Sequence, residues 1–154
     1  MLSTPHLLVG AAIGSQIGGV PGAFAFGVIS HLILDAIPHT DEDLLEAPGH
    51  KRIMPADYVA VILDIIVGLI MVTYFTFSQN HISANVLAGA IGGISPDLLS
   101  NVPFWSPQLI KLPILKQFHW MHHALSYVNN GHNKLFGVLT QFIVIIIAVI
   151  VLMK

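Results

Sequence analysis

Cysteine is absent from all 154 residues, which excludes disulfide frameworks, thiolate metal sites and cysteine nucleophiles. Charge is scarce as well. Asp, Glu, Lys and Arg together make up 9% of the chain, against roughly 25% in globular proteins. With 55% hydrophobic residues and a mean hydropathy of +0.79, lipid is the natural solvent for much of the surface. The net charge of −2 supplies no basic field, so no nucleic-acid partner is expected. The opening "MLSTPHLLVG" lacks the basic flank of a secretory leader and reads as a retained segment. Histidine is the exception to this poverty: nine of them stand against six Lys plus Arg. A simple membrane anchor needs no such excess.

The hydrophobic runs set the architecture. Residues 135 to 153, "LFGVLTQFIVIIIAVIVLM", carry no charge and match the ~20 residues a bilayer helix requires. Residues 58 to 77 form a second run interrupted by Asp64, and residues 83 to 99 a shorter third, rich in Gly and Ala. The first forty residues hold two more, split by the turn signal "GGVPG". The expected fold class is all-α: a polytopic membrane helical bundle of about five helices with a polar site at one membrane face. The whole chain, residues 1–154, then forms one membrane-embedded domain. Its helices fall near 4–19, 22–37, 57–78, 83–99 and 134–153, with a short site-side helix near 117–128. Gly10, Gly14 and Gly18, four residues apart, give one helix a small-residue face, and Gly89 with Gly93 repeats the device in another.

Alternating helices bring the two polar segments, residues 38 to 57 and 101 to 133, out on one side. Lys51, Arg52, Lys111, Lys116 and Lys134 lie on that side and only Lys154 opposite, so the polar side is expected to face the cytoplasm.

The titratable groups concentrate at that same depth. His31 and Asp35, four apart, share a helix face, as do Asp57 and Asp64, seven apart. Asp97 closes the Gly-rich helix in "SPDLLSN", and "FHWMHHALSY" carries His119, His122 and His123. Adjacent helical residues differ by about 100°, so one of His122 and His123 points away. Each ionised group in a membrane helix costs ~2.5–3.5 kcal/mol on insertion scales, and repeating that cost at one depth implies a shared partner. A divalent cation suits imidazole and carboxylate donors without thiolate: Zn²⁺ foremost, with Mn²⁺ and Fe²⁺ taking the same ligands. One to three ions fit the number of candidate donors. Zinc with an open position lowers the pKa of bound water to about 7, and paired metals suit phosphoester hydrolysis. Bland readings stand beside these. Asp64 can bond a neighbouring helix, His50, His81 and His132 can be solvated loop residues, and Asp41, Glu42, Asp43 and Glu46 can form a solvated acidic loop. His39 lies near the site but past Pro38.

The segments "PHLLVGAAIG", "SHLILDAIPH" and "AGAIGGISPDLLS", with the late His cluster, resemble the family of predicted membrane-bound metal-dependent hydrolases, small bacterial and archaeal inner-membrane proteins. The likeness spans residues 5 to 126 in short motifs. The spacing of His31, Asp35 and His39 also looks like a ligand helix of the zinc-dependent phospholipase C and single-strand nuclease superfamily, all-helical enzymes with a three-zinc cluster. These resemblances imply metal ligands at His6, His31, Asp35, His39, Asp97, His119 and His123, and His122 stands beside them as a candidate ligand by its spacing from His119. Many relatives carry His-Arg in the late segment, where this chain has Trp120 after His119. Arg52, Lys111 and Lys116 are candidate replacements for that phosphate contact, and Trp120 joins them as a candidate substrate-binding residue.

The function expected is a membrane-bound metal-dependent hydrolase that cleaves a phosphoester or phosphodiester of a lipid-like substrate, with membrane lipid as its surroundings. Asp64, with Asp57 on the same face, is the candidate catalytic base. The alternatives are a metal ion or proton transporter using the Asp/His cluster, and a scaffold stapled by a structural metal.

Overall fold

A computed structural model describes residues 1–40, 55–78, 83–128 and 134–154. Within them the chain is all-helical: α1 Ser3–Gln16, α2 Val20–Asp35, α3 Pro55–Ser78, α4 Ala84–Ser100, α5 Ser106–Leu109, α6 Pro113–Leu125 and α7 Lys134–Leu152. An isolated parallel bridge joins His39 to Val128.

Glycine and proline set the ends. α1 stops at Gln16, short of the expected residue 19: Ile17 is already extended at φ −103° and ψ 126°, and Gly19 beyond it takes a φ of +104°, a region that suits glycine. The last turn is closed by a side chain, Asn85 Nδ2 donating to the Ile17 carbonyl at 2.9 Å. Pro21 sits in the first turn of α2 and Pro113 in that of α6, where the missing N–H leaves no bond unmade. Both helices therefore begin earlier than the apolar pattern alone suggests. Pro38 stops α2, as no N–H at that position can reach the Leu34 carbonyl. Ile37 takes the carbonyl instead, at 3.0 Å. The four-residue α5 has no counterpart among the expected helices.

α1 is the central helix, buried along most of its length and packed against α2, α3, α4 and α7. Its Leu7, Leu8, Ala11 and Ala12 join Val72 and Phe75 of α3, Val86, Ala90 and Ile94 of α4, and Ala148 and Leu152 of α7 in one apolar cluster. The closest packing is backbone on backbone. A Cβ at Gly10 would overlap the Gly89 carbonyl, and one at Gly93 the His6 carbonyl. On the other side of α4, a Cβ at Gly27 would meet Gly89 and one at Gly92 would meet Phe24. α4 thus holds α1 with one glycine face and α2 with another. Gly14 belongs to this contact through Asn85, whereas Gly18 lies beyond α1 with nothing within 4 Å of its would-be Cβ. The expected three-glycine face contains two.

Two of the described helices are long and apolar enough to cross a membrane: Asp57–Phe77 of α3, with 21 residues, and Leu135–Leu152 of α7, with 18. Most of both faces outward, where Ile62, Ile66, Ile70, Phe142, Ile146 and Ile150 stand exposed. α1, α2 and α4 have 14, 16 and 17 residues, fewer than the ~20 of a full span.

The backbone contacts make a sharp test. Gly89→Ala places a methyl on the Gly10 carbonyl and is expected to lower stability by about 1–3 kcal/mol, whereas Gly18→Ala changes it by less than about 0.5 kcal/mol. Thermal unfolding of the two variants in detergent checks this, and equal melting would remove the glycine contact from the account of the fold.

Candidate metal centre

The site is assembled at the C-terminal ends of α2 and α4. In the last turns of α2, His31 and Asp35 share one face, with 0% and 1% of their side chains exposed. α4 reaches the same point with Asp97, 19% exposed, and α6 contributes the buried His122. One ligand atom from each of these four residues lies within 4.8 Å of all the others, so the group could hold a metal ion.

The spacings bear this out. Asp35 Oδ2 lies 3.1 Å from His31 Nε2 and 2.9 Å from His122 Nε2, and the two Nε2 atoms are 2.9 Å apart. Asp97 Oδ1 lies 3.6 Å from the first and 3.7 Å from the second. Donors bound at about 2.0–2.1 Å in a tetrahedron stand about 3.3–3.4 Å from one another. The four atoms bracket that value.

The donor chemistry agrees. His31 Nδ1 is 2.6 Å from the Gly93 carbonyl, which only accepts, so Nδ1 carries a proton and, in the neutral ring, the Nε2 lone pair faces the cluster. A backbone carbonyl that fixes the tautomer in this way is the usual support of a metal-bound histidine. Pro96 prepares this stretch of α4 by withholding the N–H that the Gly92 carbonyl would use. Ser95 Oγ covers that carbonyl at 2.9 Å, while Gly93, one residue on, serves His31. Two carboxylates and two imidazole nitrogens converging at such distances repel one another unless protons or a cation lie between them. Both ring nitrogens of His6 and Nδ1 of His122 are buried without a hydrogen-bond partner. The residues present fit a divalent cation.

Asp35 turns its other oxygen to a second set of groups. Oδ1 accepts from the Met1 amine at 2.8 Å and lies 3.1 Å from His6 Nε2 and 3.9 Å from His39 Nε2. The His6 ring stacks on His31 with centroids 3.8 Å apart. His39, fully buried, is fixed by its Nδ1 against the Ile37 carbonyl at 2.8 Å and by its N–H donating to Tyr127 at 3.3 Å. Tyr127 N–H in turn donates to the Asp35 carbonyl at 2.7 Å. α7 braces this end: Thr140 Oγ1 donates to the Pro38 carbonyl at 2.8 Å, and Gln141 bonds both Leu2 N–H and the Thr40 carbonyl.

The structure therefore brings together His31, Asp35, Asp97 and His122, with His6 and His39 against Asp35. The other expected residues lie outside this group. Asp64 caps α1, its Oδ2 accepting from Ser3 N–H at 2.5 Å and Thr4 N–H at 3.1 Å while Thr4 Oγ1 donates to its carbonyl at 2.7 Å. A carboxylate there satisfies two orphan amides and meets the positive end of the helix. Asp57 sits half-buried in the first turn of α3. His123 is exposed, and His119, half-buried, packs its ring on it at 4.3 Å. Burial, and secondly His122, hold the His119 imidazole below its ordinary pKa. Lys111, Lys116 and Trp120 are exposed, and Arg52 lies outside the described residues. Sequence reasoning missed the Gly93 carbonyl and the bracing role of Gln141. A readable signal separated His122 from His123: Leu115, Phe118 and His122 fall at i, i+3 and i+7, a single helix face that turns inward.

Two measurements follow from this arrangement. In a Co²⁺ or Zn²⁺ titration of the purified protein, His122→Ala and His31→Ala are expected to weaken binding by more than about tenfold, with His123→Ala unchanged; the reverse order would move the centre to the exposed histidine. Asp64→Ala is expected to keep its metal and lose about 1–2 kcal/mol of stability as the cap of α1 goes; metal loss at unchanged melting would return Asp64 to the site. Compared with protein-family models, curated proteins and solved structures, the chain matches none.

Proposed function

We propose that the chain is a membrane-bound metal-dependent hydrolase acting on a phosphoester of a lipid-like substrate. The observation that carries this reading is the convergence of His31, Asp35, Asp97 and His122 from three helices on one point. The resemblance of the same segments to predicted membrane-bound metal-dependent hydrolases supports it. Zn²⁺ suits the site best, as a borderline ion with a tetrahedral preference and no need of thiolate. When bound, such an ion lowers the pKa of water and offsets charge on phosphoryl oxygens.

The chain's own residues would do the rest. His31 is held in one tautomer by Gly93, so its donor atom needs no reorientation. Asp97, with 19% of its side chain exposed, is the most open of the four and marks the side from which a headgroup enters. His6, fully buried with its Nε2 3.1 Å from Asp35 Oδ1, would orient that carboxylate from the side away from His122.

The outward apolar faces of α3 and α7, extended by Phe24, Ile29 and Ile33 of α2, favour a bilayer around a five-helix bundle with α1 at its centre. The Lys and Arg distribution favours a cytoplasmic site end, and the family resemblance favours a prokaryotic inner membrane. A transport route is less well supported. It needs polar groups through the bundle, whereas Leu8, Ala11, Ala12, Val86 and Ala148 close the interior in one apolar cluster.

Purified protein loaded with Zn²⁺ is expected to cleave at least one member of a panel of phospholipids and phosphodiesters. Activity should disappear with chelator, return with metal, and fall by about 10²–10³ in Asp35→Asn or His122→Ala. A fully loaded protein inert across the panel would overturn the assignment.

A further inference from the structure

α6 carries a second pattern that its role in holding His122 does not require. Ile114, Met121 and Leu125 recur at i, i+7 and i+11 along one stripe, the spacing of an apolar helix face. This stripe is not core: Ile114 is 82% exposed, and Met121 and Leu125 are exposed too. Lys116, His119 and His123 form another stripe at i, i+3 and i+7. At about 100° per residue the two stripes fall on opposite sides of the helix. His122 and Leu115 lie between them on the bundle side, and Trp120, 67% exposed, lies between them on the outer side. A helix with bundle on one flank, an apolar stripe below and a polar stripe carrying Lys116 above has the layout of one lying in a membrane surface.

The approach to α6 has the same character. Phe104, Trp105 and Leu112 stand exposed around α5, interrupted by the exposed Lys111. Trp105 is tied to the end of α4 by its Nε1–H donating to the Leu98 carbonyl at 2.6 Å. Indole rings are favoured at the headgroup level. The charge is one-sided as well. No Asp or Glu occurs anywhere in residues 98–154, whereas Lys111, Lys116, Lys134 and Lys154 do. Nothing in that stretch of sequence neutralises the two lysines beside the exposed apolar side chains, and an anionic surface complements them.

We infer that α5 and α6 form an interfacial platform that lies in the headgroup layer of an anionic phospholipid bilayer and holds His122 at the membrane surface. Lys111 and Lys116 contact the lipid phosphates, Ile114, Met121 and Leu125 enter the acyl boundary, and Trp120 marks the depth of the helix. The bilayer then supports a ligand-bearing helix whose main contacts among the described residues are with α2 and α4. This inference rests on the membrane reading above and adds to it the lipid chemistry that the site end recognises.

The test uses the whole chain reconstituted in vesicles, with brominated phosphatidylcholine as quencher. Trp105 and Trp120 are the only tryptophans, so the difference between wild type and Trp120→Phe reports Trp120, and replacing an exposed ring leaves the packing intact. A helix lying about 5–10 Å into the headgroup–acyl boundary predicts that bromines near the carbonyl end quench Trp120 at least roughly twice as strongly as bromines near the chain terminus. Quenching should increase when phosphatidylglycerol is added, and Lys111→Gln with Lys116→Gln should abolish that increase. A chain that floats with the vesicles while Trp120 is quenched by aqueous iodide and not by bromolipid overturns the platform and leaves the membrane reading standing. Stronger quenching by the deep bromines, or a phosphatidylglycerol effect that survives loss of both lysines, overturns it too. A chain that fails to float overturns both.

Discussion

The carboxylate of Asp35 is the point on which the site end of the molecule depends. It is almost completely buried, a position that isolated ions do not tolerate. Its Oδ2 is met by His31 and His122, and its Oδ1 by the Met1 amine and His6, with His39 just beyond. Even its backbone serves, as the Asp35 carbonyl accepts the N–H of Tyr127. Through one residue, then, the start of α1, the end of α2, the segment past Pro38 and both α6 and its exit are fixed to one another. Such a group stabilises the fold only when fully compensated, and breaking one partner leaves the others facing an uncompensated charge.

That convergence needs helices closer than ordinary side chains permit. Glycine supplies the closeness. Gly10 against Gly89 and Gly27 against Gly89 let α1 and α2 approach α4 backbone to backbone, where dispersion rather than the hydrophobic effect rewards contact in a lipid environment. The same approach sets the site distances: Gly93 is near enough to α2 for its carbonyl to accept from His31, and near enough to α1 to lie on the His6 carbonyl. The glycines are remote from the chemistry in sequence and inseparable from it in space.

What the sequence made legible follows local periodicity. His31 with Asp35 needed only a helix, and Asp97 only a helix end, so both stood out. Asp64 looked like a buried acid in search of a proton. Its partners are the Ser3 and Thr4 amides 60 and 61 residues away, and no local pattern announces a cap that distant. The neighbouring His122 and His123 differed by one position, and the wider inward face with Leu115 and Phe118 decides between them. Gly18 extended a four-residue pattern past the end of α1 because the pattern does not contain the extended backbone of Ile17. His39 was discounted for lying beyond Pro38, yet the turn that Pro38 forces is what folds His39 back onto Asp35. In each of these cases the deciding contact is tertiary.

The same reasoning bears on why the centre suits a divalent cation better than protons alone. Asp35 and Asp97 together carry two negative charges within a few ångströms, one of them nearly dry. The Met1 amine lies against Asp35 Oδ1 but not between the other donors, and protonating both His31 and His122 would set two imidazolium groups 2.9 Å apart in a medium where like charges repel strongly. With Nδ1 donating to Gly93, the neutral His31 ring presents its Nε2 lone pair inward. A divalent ion would accept both imidazole lone pairs and offset the carboxylate charge at Asp35 Oδ2 and Asp97. Tautomer and spacing thus both leave room for a metal ion, at the end of the bundle where α6 brings His122 in.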